Sequence, residues 1–205
     1  MPPARNGPVR ERLLHAAMEL FATRGYAATS IREIVGAVGV TKPVLYYHFQ
    51  SKEGLYLALV EELRRAVEGT LAGSLSGPGT ARERLVRLFG AMFGLFEAHQ
   101  SSVRFVNAAY WGPGEGAPAV DFEVIHHRFV STVERVVAQG MAAGEFRRAR
   151  THDAAHALLA VVSYCMDLSL AYPALSPGWA GVLRMLDLVF AGIAPGKPAR
   201  RRTSP

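Results

Sequence analysis

Residues 30–55 read SIREIVGAVGVTKPVLYYHFQSKEGL, and the order in which polar and apolar side chains arrive there decides the fold. Ser30, or Thr29 before it, can cap a short helix. With Ser30 as the cap, Glu33 stands at the third position of a capping box, where hydroxyl and carboxylate each take a backbone N–H. Gly39 turns the chain. Thr41 can cap a second short helix, and Pro43 falls in its first turn, where a missing N–H removes no internal bond. Ser51, followed by Glu53 and Gly54, opens a longer helix with Tyr56, Leu59, Val60 and Leu63 on one side. On a helical wheel Leu45 and Phe49 face the same way, toward neighbouring helices, while Pro43, Tyr46 and Tyr47 gather on roughly the opposite side. Two tyrosines turned outward on a short helix do little for stability. They suit a surface that meets DNA: a phenol hydrogen-bonds a phosphate oxygen, and its ring packs on a sugar or a thymine methyl. Lys42 and Lys52 add charge at two helix starts, where backbone N–H groups and the helix dipole also favour phosphate.

Outward from this segment nearly every stretch has the three-four spacing of an amphipathic helix, and none has sustained alternation with β-branched residues, so the fold class is all-α. Val9, Leu13, Ala17, Leu20 and Phe21 share a face of a first helix that Gly25 stops. The run AGSLSGPGT at 72–80 is a loop or boundary, and longer helices follow it. Leu85, Leu88, Phe89, Met92, Phe93 and Phe96 form a stripe in which Gly90 and Gly94 leave flat spots for a close neighbour. A shorter helix, VRFVNAAYW, closes on the loop GPGEGAP. Phe122, Ile125, Phe129, Val133, Val136 and Val137 line a long helix, and residues 153–172 and 178–193 supply two more. The first of these last two is apolar around most of its circumference and is expected to need partners on two sides, the domain's own core and a second copy of the chain.

The run TSIREIVGAVGVTKPVLYYHFQSKEGL at 29–55 resembles the N-terminal signature of the TetR family of bacterial transcriptional regulators, over about 50 residues from Val9 to Leu59. The resemblance implies about nine helices in three parts: a three-helix helix-turn-helix DNA-binding domain at 1–55, a larger helical effector-binding and dimerisation domain at 56–195, and a disordered basic tail at 196–205. It implies a cytoplasmic homodimer, joined through the last two long helices, that binds a palindromic double-stranded operator and represses until a largely apolar small molecule releases it. Arg32, Lys42, Pro43 and Val44 would approach phosphate or a base edge, with Thr41 beside them. Tyr46, His48 and Lys52 would hold the backbone, and Tyr47 would lie against sugar or base. Many relatives carry glycine or a small polar residue where this chain has Pro43 and Val44, so base preference does not transfer. Phe93, Phe96, Asn107, Tyr110, Trp111, His126, Phe129 and Tyr164 are the candidate effector-binding residues, because their size and slight polarity exceed what packing demands. A DNA-bound regulator answering to a protein partner instead of a small molecule is the alternative.

Composition bounds the other classes. The net charge of +6 is concentrated at the ends: residues 1–55 hold seven Lys/Arg against four Asp/Glu, and the last ten residues hold four basic and no acidic groups. A polyanionic partner fits that distribution. One cysteine, Cys165, excludes an internal disulfide and sits among apolar neighbours. No signal peptide is expected in the first thirty residues, and no membrane span, since the longest uncharged run, 168–183, is broken by Pro173 and Pro177. No G-x-S-x-G, H-E-x-x-H or phosphate-loop pattern points to an enzyme, and no cofactor is expected. His152 and His156 lie one turn apart, a spacing that could chelate a metal and draw in His126 and His127, but no acidic or cysteine ligand stands at convincing spacing beside them, so no metal is expected.

Overall fold

The computed structural model describes residues 7–75, 77–111 and 116–194, without the side chains of Tyr110, Trp111 and Ile125; the basic tail expected at 196–205 lies outside the described residues. Among these residues there are nine α-helices, one 3₁₀ turn and no strand, as an all-α fold requires. The helices are α1 (Val9–Ala28), α2 (Ile31–Val38), α3 (Lys42–Phe49), α4 (Lys52–Leu75), α5 (Ala81–Ala98), α6 (Gln100–Trp111), α7 (Phe122–Ala142), α8 (Thr151–Ala171) and α9 (Gly178–Ile193). The 3₁₀ turn is Pro173–Leu175.

Contacts divide the chain into two compact units. One holds residues up to Ala72 together with Gly94–Ile125, and the other holds Gly73–Phe93 together with the chain from His126 onward. The division expected at residue 55 falls inside α4, whose Leu55, Tyr56, Leu59 and Val60 lie in the same core as Leu13, Leu14, Ala17 and Phe21 of α1. That core also takes Ile34, Val35 and Val38 from α2, Leu45 and Phe49 from α3, and Phe105 from α6. Phe105 reaches it because its ring packs 5.1 Å from Tyr56 and 6.3 Å from Phe21. Ser101 and Ser102 add polar ties to α1, the first donating to Glu19 and the second lying 3.1 Å from the Met18 sulfur. Thus α6, remote in sequence, is part of the unit that carries α2 and α3.

Local chemistry explains the short helices. Ser30 and Glu33 form the reciprocal box: Ser30 Oγ accepts from the Glu33 N–H, and Glu33 Oε2 accepts from the Ser30 N–H at 2.8 Å. Gly39 ends α2 at φ 72°, a left-handed conformation that costs a residue without Cβ nothing. Gly25 breaks α1 at φ 78° and ψ 167°, and Thr29, buried just beyond, donates its hydroxyl to the Gly25 carbonyl at 2.8 Å. Gly54 lets α4 start close behind α3, because a Cβ there would overlap the carbonyl oxygen of Phe49.

The second unit is built on α8 and α9. Ala154, Ala155, Leu158, Leu159, Val162 and Cys165 of α8 are buried, as are Val182, Leu186, Phe190 and Ile193 of α9. Val133, Val136 and Val137 of α7 and Leu85, Leu88, Phe89 and Phe93 of α5 are buried in the same unit. Phe146 stacks on Phe190 with centroids 6.0 Å apart, and Arg147 donates its backbone N–H to Ile193 O at 2.8 Å. Gly90 admits the Trp179 indole, which a Cβ would meet at 3.0 Å, whereas Gly94 has nothing within 4 Å. The close approach expected of both glycines belongs to the first alone. Among the described helices α8 is the one long and apolar enough, by length and composition, to cross a membrane, contrary to the expectation of no span; one face of it, with Ala154, Ala155, Leu158, Leu159, Val162 and Cys165, is buried in the second unit.

Candidate nucleic-acid interface

On α3 the structure separates the two faces that the wheel separates. Leu45 and Phe49 are sealed in the core, Tyr46 keeps 45% of its surface exposed and Tyr47 keeps 84%. Thr41, Lys42 and Pro43 are exposed at the start of the helix, Arg32 is exposed on α2, and Val44 and His48 are half-buried. The Tyr47 ring stands edge-on to His48 with centroids 5.1 Å apart, which limits the positions the phenol visits. From the other side, the Arg10 guanidinium lies 5.5 Å from the Phe49 ring centroid. All nine expected DNA-facing residues therefore lie in one unit, on α2, on α3 and its N-cap, and in the first turn of α4.

Thr41 departs from its expected local role. It occupies the N-cap position with extended φ and ψ, yet its side chain makes no capping hydrogen bond. Pro43 has no N–H to satisfy, so the first turn of α3 needs less capping than an ordinary helix start, and the hydroxyl stays available for an outside acceptor. Ser51 does cap, accepting from the Gly54 N–H at 2.9 Å. Lys52 is only half-exposed: its ammonium sits 4.1 Å from the centroid of Tyr26. Burial there pulls its pKa below the ordinary lysine value, while the Glu33 carboxylate pushes it up. Glu33 itself titrates below the usual carboxylate range, first because the Ser30 N–H donates to it, then because of the Ser30 hydroxyl and the Arg24 guanidinium 2.6 Å away. The positions behind α3 are thus fixed by hydrogen bonds and a cation–π contact, while its outer face is left open.

The expected effector-binding residues are divided between the units. Phe96, buried, and Asn107, half-buried, belong to the first; Phe93, buried, Phe129, half-buried, and the exposed His126 and Tyr164 belong to the second. Tyr110 and Trp111 lie on α6, and their side chains are outside the described residues. Phe93 packs 5.9 Å from Trp179, a partner not anticipated from sequence. A cleft of about 370 Å³ opens in the first unit around Gly25, lined by Phe21, Arg24, Tyr26, Tyr56, Phe105 and Ala109 among others. None of the expected effector residues whose side chains are described lines it; its signal in the sequence is the glycine that interrupts an aromatic-bearing helix.

One expectation is corrected by packing. His152 and His156 do have an acidic companion: Glu134 of α7 comes to 2.7 Å from His152 Nδ1. Eighteen residues separate the two, so no local spacing rule could find the contact. His126 and His127, whose rings lie 6.3 Å apart, are not part of that group.

A glycine-turned pair of short helices, with a sealed inner face and an exposed aromatic outer face, defines the helix-turn-helix class. Residues 13–59 match the family described as bacterial regulatory proteins, tetR family. This N-terminal segment therefore carries the helix-turn-helix region of that family. It is 42% identical over 88 residues to the HTH-type transcriptional activator FasR of Mycolicibacterium smegmatis, a match covering 43% of this chain and 39% of that protein. It is 31% identical over 101 residues to the HTH-type transcriptional repressor KstR2 of the same species, covering 49% of each. The matched stretches span between a third and a half of the length of these curated relatives. The solved structure of the ketosteroid transcriptional regulator KstR2 of Mycobacterium tuberculosis superposes with a TM-score of 0.71 at 23% identity, covering 93% of this chain and 97% of that one, and so shares the fold.

Proposed function

We propose that this chain is a dimeric, sequence-specific DNA-binding transcriptional regulator, a cytoplasmic repressor released from a palindromic operator by a largely apolar small molecule. The observation that carries the reading is the exposure of Tyr47 and Tyr46 on a helix of eight residues whose inner face is sealed by Leu45 and Phe49. A surface of that kind, with Lys42 at its start and Arg32 on the preceding helix, supplies phosphate contacts for affinity and a few side chains for base edges. Tyr46, His48 and Lys52 serve the backbone in this account, Tyr47 serves sugar or base, and Thr41, Pro43 and Val44 lead the helix into the major groove.

One such helix contacts too few bases for tight specificity, and a twofold dimer places two of them on half-sites about 34–36 Å apart. Tyr164 on α8, Leu175 in the 3₁₀ turn and Leu188 on α9 support dimerisation through the last two long helices, since all three are large and more than 60% exposed. Effector control follows if a small molecule binds one arrangement of the dimer better than the other; a coupling of about 1–3 kcal/mol changes operator affinity roughly 5- to 150-fold.

The test is selection of duplexes from a random pool by the purified chain, followed by sedimentation of the complex. We expect an inverted repeat with half-sites one helical turn apart, two chains per site, and affinity that falls steeply with salt. Enrichment of no common sequence, or one chain on an asymmetric site, would contradict the proposal.

A further inference from the structure

We propose that Glu134, His152 and His156 form a binding site for a late first-row divalent cation, with Zn²⁺ as the ion of reference. The three side chains each offer one donor atom, and these atoms lie within 4.8 Å of one another. His152 and His156 are one turn apart at the start of α8, and Glu134 comes from α7 within the same unit. Their imidazole centroids are 3.9 Å apart. In a zinc tetrahedron with bonds of roughly 2.0 Å, neighbouring donor atoms lie about 3.3 Å apart, so the cluster needs only side-chain rotations to close on an ion. The exposure of both histidines and the half-exposure of the carboxylate give the ion a path in and leave a coordination position for water.

The hydrogen bonds also show how each ring would offer its donor atom. His152 Nδ1 lies 2.7 Å from a Glu134 carboxylate oxygen, and His156 Nδ1 lies 3.0 Å from the His152 carbonyl oxygen. A carbonyl can only accept, so His156 Nδ1 carries the proton and its Nε2 keeps a free lone pair, whereas the ion would replace the proton that His152 Nδ1 shares with the Glu134 carboxylate, making both of those atoms ligands. A histidine that ligates through one nitrogen and donates from the other to an oxygen, as His156 would, is the usual arrangement around bound zinc. Two imidazoles and a carboxylate make a donor set suited to zinc, nickel or copper and ill-suited to magnesium or calcium. Asp153 in the first turn of α8 adds negative charge at a helix start whose dipole would otherwise repel a cation. Binding would clamp the C-terminal half of α7 to the first turn of α8.

The test uses the full chain without a histidine tag, stripped with chelator and titrated with ZnCl₂ by calorimetry, with melting curves recorded with and without the ion. We expect one Zn²⁺ per chain and a melting temperature raised by the ion, because it binds the folded state selectively. His152→Ala and His156→Ala should each abolish saturable uptake, and Glu134→Gln should weaken it by about 10- to 100-fold. His126→Ala/His127→Ala should leave it intact. The exposed histidine variants should melt like the parent in chelator, so a lost site is distinguishable from a lost fold. Uptake no greater than in His152→Ala/His156→Ala, uptake lost with His126 and His127, or unchanged affinity in Glu134→Gln would overturn the site.

Discussion

Tyr47 leaves 84% of its surface in solvent, whereas Leu45, two positions earlier on the same helix, leaves none. The four-residue interval from Leu45 to Phe49 was enough to read that contrast from the sequence, because side chains one turn apart must share a face. Which open side chains reach bases is a different matter, since Pro43 and Val44 offer no hydrogen-bond code of their own. Two predictions belong at this scale. Replacing Gly54 with alanine places a methyl against the Phe49 carbonyl, forcing the α3–α4 turn to shift; we expect a loss of about 1–3 kcal/mol in denaturant unfolding and weaker DNA binding with it. Glu33, held below the usual carboxylate range, stabilises the folded state fully above that range and loses this contribution as pH falls through its lowered value. Melting temperatures of the parent should therefore drop from about pH 5 downward more steeply than those of Glu33→Gln.

Among the elements, α2 is the most legible, because its start and stop are both chemical: the Ser30–Glu33 box opens it and left-handed Gly39 closes it. Ser30→Ala should cost about 0.5–2 kcal/mol, measured by urea unfolding, without altering which sequence the protein selects. The α3 start was less legible. Thr41 has the residue type of a cap and the backbone of one, but the bond is absent, and with Pro43 in the first turn fewer N–H groups need it. Helix α4 hid its partners differently, since the capping signal at Ser51 marks where it begins and says nothing of which unit its apolar side joins. The docking of α6 on α1 was likewise invisible: Phe105 lies 84 positions beyond Phe21, and a periodic stripe announces a buried face without naming the face it meets. Glu134 beside His152 is the polar version of the same limit.

For the whole molecule, helix number and class followed from periodicity, while the grouping of α6 with the N-terminal helices followed from tertiary contacts alone. The proposed dimer concentrates its exposed apolar surface on α8, α9 and the turn between them, so Leu188→Arg should give a monomer by sedimentation while keeping the fold by circular dichroism. That monomer should bind a single half-site weakly and the full inverted repeat no better. The most direct test of the account is the affinity of Tyr47→Ala for the selected duplex, measured by fluorescence anisotropy beside a melting curve. The account predicts binding weakened by about 1–3 kcal/mol at an unchanged melting temperature. Full affinity in a folded variant would contradict it.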